Sequence, residues 1–199
     1  MLVIGLAGGS GSGKGVASQI FASYGFLHID TDRVYHDLIS GPSPCLSELV
    51  SEFGGGILAQ NGALDRKKLA AIVFSDRTKL DRLNSIAHRH ILKKTREIIN
   101  SARADGYFAV LVDAPLLFES GFDKECDLVI SLLAKRDIRI CRIIARDGIS
   151  SEKAAARIDN QLSDGFLTER SDYIIENNGT TEELSQKIDE IINELKLKG

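Results

Sequence analysis

Leu2-Val3-Ile4-Gly5-Leu6-Ala7-Gly8-Gly9-Ser10-Gly11-Ser12-Gly13-Lys14 is the stretch that decides the fold. Six apolar or small residues make a buried strand. A glycine-rich turn follows, and a helix pattern begins near Val16. Strand, glycine loop and helix in that order make a phosphate-binding loop. Glycines let backbone N–H groups converge on an anion with no side chain in the way. The helix N-terminus adds partial positive charge, and Lys14 reaches the outer phosphates. The ligand class this implies is a nucleoside triphosphate gripped by Gly9, Ser10, Gly11, Ser12, Gly13, Lys14, Gly15 and Val16. The alternative is a glycine-rich turn that only packs strand against helix.

The residue after the lysine is the exception. The usual pattern places Ser or Thr there, and its hydroxyl sits on Mg²⁺. This chain has Gly15. A water can replace the missing ligand with weaker metal binding, while Ser18, one turn further on, is a poor substitute.

Working outward, 199 residues suffice for one substantial core with small insertions. The net charge of −3 gives no global reason to expect nucleic acid or a membrane surface as partner. Three cysteines, Cys45, Cys126 and Cys141, lack metal-type spacing and read as reduced thiols of a cytoplasmic protein. The apolar N-terminus has no basic flank and runs straight into the loop, so it reads as a first strand and not a signal peptide. No apolar stretch is long enough to span a bilayer.

Strand-like runs at Leu2–Ala7, Phe26–Ile29, Phe108–Val112, Leu128–Leu132 and Tyr173–Ile175 alternate with helical patterns. That alternation predicts an α/β fold with a parallel sheet covered on both faces. The first helix stops at Gly25. From Asp32 to Asp105 no strong strand appears. The stretch reads as helical, broken at Gly41-Pro42-Ser43-Pro44, at Gly54-Gly55-Gly56 and near Gly62. Leu80, Leu83, Ala87, Ile91 and Ile98 keep one helical face apolar. Further helices are expected at 137–146, at 151–161 and, opened by a Thr180/Glu183 capping box, up to Lys198. Gly148 and Gly165 flank the second of these, as hinges flank a lid.

Several groups carry candidate chemistry. Asp30 and Asp32 follow the second strand, at the carboxyl end where open parallel sheets bind ligands. One of them suits a base for an attacking hydroxyl, and either suits a helix N-cap. Asp113 ends the third strand, in the position that holds Mg²⁺ or its waters beside a phosphate loop. A plain strand-end aspartate in a turn is the alternative. Arg139, Arg142, Arg146 and Arg157 form a basic cluster suited to phosphate oxygens. Of these, Arg139 is expected at the surface, while Arg146 and Arg157 are expected to act on the ligand. Arg157 and Gln161, four apart, share a helical face. His88 and His90 read as packing or surface residues, His28 as structural, and His36 shares the helical face of Asp32.

Taken together, these segments resemble the dephospho-CoA kinase family. Gly5 through Lys14 looks like its phosphate loop, and Asp30-Thr31-Asp32 like its D-x-D. Phe53-Gly54, Gly62-Ala63-Leu64-Asp65-Arg66, Leu69, Val73-Phe74 and Leu83-Asn84 through Ile86 and His88 follow its substrate-domain pattern. Asp113-Ala114-Pro115-Leu116-Leu117-Phe118-Glu119 is similar to its P-L-L-F-E segment. Arg142, Arg146-Asp147, Arg157-Ile158 and Gln161 match its lid, and Asp172 through Ile175 with Asn177 its last strand and loop. The resemblance implies a P-loop kinase core with a five-stranded parallel sheet, formed by 1–31 and 106–199 with a lid at about 147–165. It implies a helical acceptor domain at 32–105. It implies ATP- and Mg²⁺-dependent phosphorylation of the ribose 3′-hydroxyl of dephospho-CoA, with no nucleic acid and no membrane as partner. Asp32 becomes the base, and Lys14, Arg142 and Arg146 hold the phosphates. Asn177 lies near the adenine, and Arg66, His88, Leu116, Phe118, Glu119, Arg157 and Gln161 lie on the acceptor side. Asp113 meets Mg²⁺ through water. Proline usually follows the family histidine, whereas Arg89 follows His88. The alternatives are another small-acceptor kinase of this architecture, or a nucleotide-binding regulator weakened at Gly15.

Overall fold

The structure is a computed structural model, and it describes residues 1–198. In chain order the elements are β1 (Leu2–Ala7), α1 (Lys14–Ser23), β2 (Leu27–Asp30), α2 (Thr31–Ile39), α3 (Pro44–Phe53), α4 (Arg66–Val73) and α5 (Arg77–Ala104). Then come β3 (Ala109–Asp113), β4 (Leu128–Leu133), α6 (Arg136–Asp147), α7 (Ser151–Asp159), α8 (Asp164–Arg170), β5 (Tyr173–Glu176) and α9 (Thr181–Lys198). The chain divides into two compact units, one of residues 1–28 with 102 onward, the other of residues 29–101.

The sheet order is β2-β3-β1-β4-β5. The central β1 pairs in parallel with β3 and β4, and β4 pairs in parallel with β5. Its register sets Leu6 opposite Asp113 and Ala7 opposite Ser131, so the phosphate loop leaves the sheet beside the end of β3. Ile4, Leu6, Leu111, Ile130 and Leu132 have no exposed surface, as expected for parallel strands covered on both faces. Ala17 and Phe21 of α1 and Leu184, Ile188, Ile192 and Leu195 of α9 join the same core. Phe21, Phe26 and Phe108 continue it edge to face, with ring centroids 5.3 and 5.9 Å apart.

The helical unit has its own core of Ile39, Cys45, Leu49, Ile57, Leu69, Val73 and Ile86. Its helices begin where short polar side chains cap them. Asp30 accepts from the amides of Asp32 and Arg33, Ser43 from Leu46, and Asp65 from Lys67 and Lys68. Pro44 occupies the first turn of α3, where its missing N–H costs nothing. The absence of strands expected here holds among the described residues, apart from one isolated bridge between Leu58 and Leu64.

Two expectations for the segment 147–165 need correction. The helix expected to reach Gln161 ends at Asp159, and a separate helix, α8, follows. Gly165 therefore lies in the first turn of a helix and not in a connecting loop, because the Ser163 hydroxyl caps α8 just before it. Gly148 does end α6 in the left-handed conformation, with φ 64°. The Thr180/Glu183 capping box forms, each side chain accepting from the other residue's amide at 3.3 Å.

Candidate active site

The phosphate loop is held from behind by polar side chains. Its last glycine, Gly13, caps α1 with φ 102°, a backbone that L side chains rarely adopt. A Cβ there would also lie 2.1 Å from Asn177 Nδ2. That amide donates to the Ser12 carbonyl at 2.8 Å, and Asn177 itself is buried. Asn177 N–H in turn donates to Leu133 O, which ties the loop to the end of β4. The amide expected near an adenine is thus committed to the loop backbone, because burial leaves Ser12 O as its partner.

On the open side, Lys14 Nζ donates to Gly8 O at 3.0 Å and stands 3.8 Å from Asp113 Oδ1. Gly9, Ser10, Gly11, Gly13, Lys14, Gly15 and Val16 line one cavity with Asp113, Arg142 and Arg146. Ser12 is missing from that wall, since it is turned inward and almost wholly buried. Gly15 faces open space, with no atom within 4 Å of a Cβ built there. Ser18 Oγ is spent on the Lys14 carbonyl at 3.0 Å and does not replace a hydroxyl at position 15.

The arginines of α6 take three different depths. Arg142 donates to Gly11 O at 3.3 Å and Asn177 O at 3.0 Å. Arg146 reaches Ser10 Oγ at 3.2 Å and also pairs with Asp147. Asp147 accepts from both Arg146 and Arg157, and these hydrogen bonds hold its carboxyl down to about 2. Arg157 therefore points to Asp147, while Gln161, beyond the end of α7, points to the loop: its Oε1 accepts from Ser10 N at 2.9 Å. The shared face expected of Arg157 and Gln161 does not form.

Arg139, expected at the surface, is 5% exposed. Its Nε donates to Ser10 O at 3.0 Å and its Nη2 to Gln161 Oε1 at 2.8 Å. Burial lowers its pKa from the usual guanidinium range, and Asp164 partly offsets that. Spacing groups it with the others, since Arg139, Arg142 and Arg146 stand at i, i+3 and i+7 on one face of a helix, but does not tell that this face is turned inward.

A second cavity opens beside the first. Leu116, Phe118 and Glu119 line it together with Gly8, Gly9, Gln161 and Leu167. Phe118 packs edge to face on Phe166 at 5.4 Å, and Arg170 lies over the Phe166 ring at 5.9 Å. Leu116 is 43% exposed, an apolar side chain left at the rim.

In the helical unit, Asp30 and Asp32 have separate fates. The Asp30 carboxylate is the cap of α2, at 2.9 Å from Asp32 N and 3.2 Å from Arg33 N. Asp32 sits exposed in the first turn. Arg66 and His36 line a cavity with Ser40 and Asn61, which places His36 beside a candidate acceptor group. His88 is half-buried on α5. Arg89 and His90 both engage Glu48 of α3, and their hydrogen bonds lower its pKa, His90 contributing most. The residue that follows His88 thus ties α5 to α3.

Among the described residues no cluster of three or more His, Cys, Asp or Glu forms a metal cage, and no helix is long and apolar enough to cross a membrane. The family model for dephospho-CoA kinase matches residues 2–183. A dephospho-CoA kinase of Corynebacterium glutamicum is 36% identical over 195 residues, covering 98% of this chain and 100% of the relative. One from Fusobacterium nucleatum subsp. nucleatum is 39% identical over 189 residues, 95% of this chain and 96% of that one. Among solved structures, a dephospho-CoA kinase from Campylobacter jejuni superposes with TM-score 0.73 at 27% identity, covering 97% of this chain and 96% of that one. A shikimate kinase from Acinetobacter baumannii shares the fold at TM-score 0.56 and 18% identity, covering 99% and 96%. With the loop, the Lys14–Asp113 pair and the α6 arginines in place, these matches fix the kinship: the chain belongs to the dephospho-CoA kinase family.

Proposed function

We propose that this protein transfers the γ-phosphate of ATP to the ribose 3′-hydroxyl of dephospho-CoA, releasing CoA and ADP in the last step of CoA biosynthesis. Lys14 beside Asp113 at the mouth of the glycine loop, in a chain matching the family over residues 2–183, carries this reading.

Phosphoryl transfer has a loose transition state, so positioning and charge stabilisation contribute most. Lys14 meets the outer phosphates as a point charge. Arg142 holds Gly11 and spreads further positive charge over the cavity. Arg146 moves from Asp147 and Ser10 onto the transferring group, which needs only a side-chain swing at an exposed position. Asn177 serves the reaction by fixing the Ser12 carbonyl.

Asp32 accepts the proton of the 3′-hydroxyl as its oxygen bonds to the γ-phosphorus and the bond to the ADP oxygen breaks. Arg66 and His88 serve the acceptor from the helical unit. Leu116, Phe118 and Glu119 serve it from the second cavity, where Gln161 forms part of the wall. Arg157 acts through Asp147, which it shares with Arg146.

Asp113 is a hard oxygen donor beside the cavity, and Gly15 leaves room for a water, so the residues fit Mg²⁺ held on the phosphates through water. Mg²⁺ bound there would neutralise charge on the phosphates. The missing hydroxyl raises the Mg²⁺ concentration needed. Free Cys45, Cys126 and Cys141 fit a reducing, cytoplasmic setting, with small molecules as the partners.

The test is coupled ADP release with purified protein. Turnover with dephospho-CoA well above the ATPase background is the expected result. Background rates with dephospho-CoA, alongside turnover of a nucleoside monophosphate, would replace this acceptor with another.

A further inference from the structure

Arg139 lies outside the residues expected to touch either substrate, yet it is the most deeply buried arginine of α6, and its fork engages Ser10 of the phosphate loop and Gln161, which also holds Ser10. Nε donates to Ser10 O at 3.0 Å. Nη2 donates to Gln161 Oε1 at 2.8 Å, and that same oxygen accepts Ser10 N–H at 2.9 Å. Both polar atoms of Ser10's backbone are thereby fixed by one guanidinium and one carboxamide. The approach is close: a Cβ on Gly9 would meet Nη2 at 2.1 Å and Gln161 Oε1 at 2.8 Å, so a side chain there would push the two groups off Ser10. Gly9 lines both the phosphate cavity and the cavity of Leu116, Phe118 and Glu119, so this three-residue arrangement stands at the wall they share.

We infer that Arg139 and Gln161 form a latch that positions the phosphate loop for nucleotide, with Arg139 acting as a positioning residue through Ser10. This rests on the reading of the glycine loop as the ATP site. A phosphate loop binds through several amides aimed at one anion, and a loop that samples other shapes binds in proportion to the fraction correctly shaped. The latch removes that freedom at Ser10. The planar fork matters as much as the charge, because Nε and Nη2 engage two acceptors at once. A lysine retains the charge and loses the second bond. The guanidinium is buried behind the loop and 3.5 Å from Asp164, so it offers the phosphates no direct contact.

The test compares ADP affinity by calorimetry in the unmutated protein, Arg139→Lys, Gln161→Met and the double variant, with thermal unfolding of each. Loss of the latch lowers ADP affinity about tenfold in Arg139→Lys, an effect the size of one or two hydrogen bonds. Gln161→Met loses ADP affinity by a similar or smaller factor, and the double variant is no worse than Arg139→Lys, since both changes break one unit. In steady state the KM for ATP rises while the KM for dephospho-CoA shifts less in Arg139→Lys. Unchanged ADP affinity with a lowered Tm would reduce Arg139 to a structural residue and overturn the proposal. Multiplicative losses in the double variant would also overturn it. Should Arg139→Lys fail to fold, Gln161→Met with unchanged ADP affinity overturns it alone. ADP binding is read without catalysis, so an unmutated protein that binds ADP but ignores dephospho-CoA refutes the acceptor assignment and leaves the latch measurable.

Discussion

The phosphate loop and the residues of the helical unit proposed to meet the acceptor are built on opposite principles. Around the loop, the side chains that shape the backbone are buried: Asn177 at 6% exposure and Arg139 at 5% hold Ser12 and Ser10 from behind. The cavity wall is made of the loop itself with Lys14, Asp113, Arg142 and Arg146. In the helical unit, the side chains themselves face outward. Asp32 and Arg66 are exposed on α2 and α4, and buried residues such as Ile39 and Leu69 anchor the helices beneath them. A backbone site needs its scaffold frozen, because an amide cannot reorient without moving its neighbours. A side-chain site on a capped helix gets direction from the helix and tolerates rotamer freedom.

That contrast breaks first where a single group carries charge. Lys14→Met should reduce kcat/KM about a thousandfold, since it removes the ammonium that meets the phosphates, read by the coupled assay. Next comes the exposed carboxylate. Asp32→Asn should lower kcat about a hundredfold while ATP affinity stays within about twofold. Asp30→Asn is the control: asparagine still caps α2 through its carbonyl oxygen, so it should cost at most a few tenths of a kcal/mol and leave kcat largely intact. Equal small effects at both positions would erase the distinction between base and cap.

The frozen scaffold is probed by Asn177→Ala, which leaves Ser12 O without its buried donor. ADP affinity should fall about tenfold and unfolding free energy by about 1–3 kcal/mol, read by calorimetry and denaturant melts. A smaller change is expected at Gly15→Ser. Open space around Cβ accommodates it, and serine in place of a helical glycine should stabilise by a few tenths of a kcal/mol. Half-saturation by Mg²⁺ should fall by about threefold as the hydroxyl replaces a water ligand. An unaltered Mg²⁺ titration would show that the missing hydroxyl is fully compensated.

The smallest effect sharpens what the two units share. Burial pushes the Cys45 thiol up to about 11 and the Cys126 thiol up to about 12. Only the thiolate reacts, so both stay protonated and inert at pH 8, while exposed Cys141 alkylates. Mass spectrometry after brief iodoacetamide treatment should find one labelled site. Labelling at Cys45 would reveal that the helical unit's core opens more readily than the sheet's.

Much of this was legible from residue order alone. The β1 run, the loop and Lys14 form a local signal, and so do the Thr180/Glu183 box and the strand-free stretch that became α2 to α5. Each depends on neighbours within a few positions, where propensity, capping and chain geometry act directly. Asp30 was half legible: its sequence fits both cap and base, and hydrogen-bond geometry decides for the cap. Arg139 was misread because acidic and basic neighbours make α6 look solvated, and the i, i+3, i+7 spacing of its arginines does not say which face is turned inward.

By itself, then, the sequence determined a glycine loop between strand and helix, the kinase family and the strand-helix rhythm. The loop and the rhythm rest on short-range chemistry that composition and spacing encode, and the family on the resemblance of motifs along the chain. Only the tertiary structure decided that Arg139 is buried, that Asn177 and Gln161 serve the loop backbone, and that Arg157 turns to Asp147. These pairings join residues up to 165 positions apart. A hydrogen bond across such a separation exists only once the sheet has brought its partners together, and no local pattern in the chain records it.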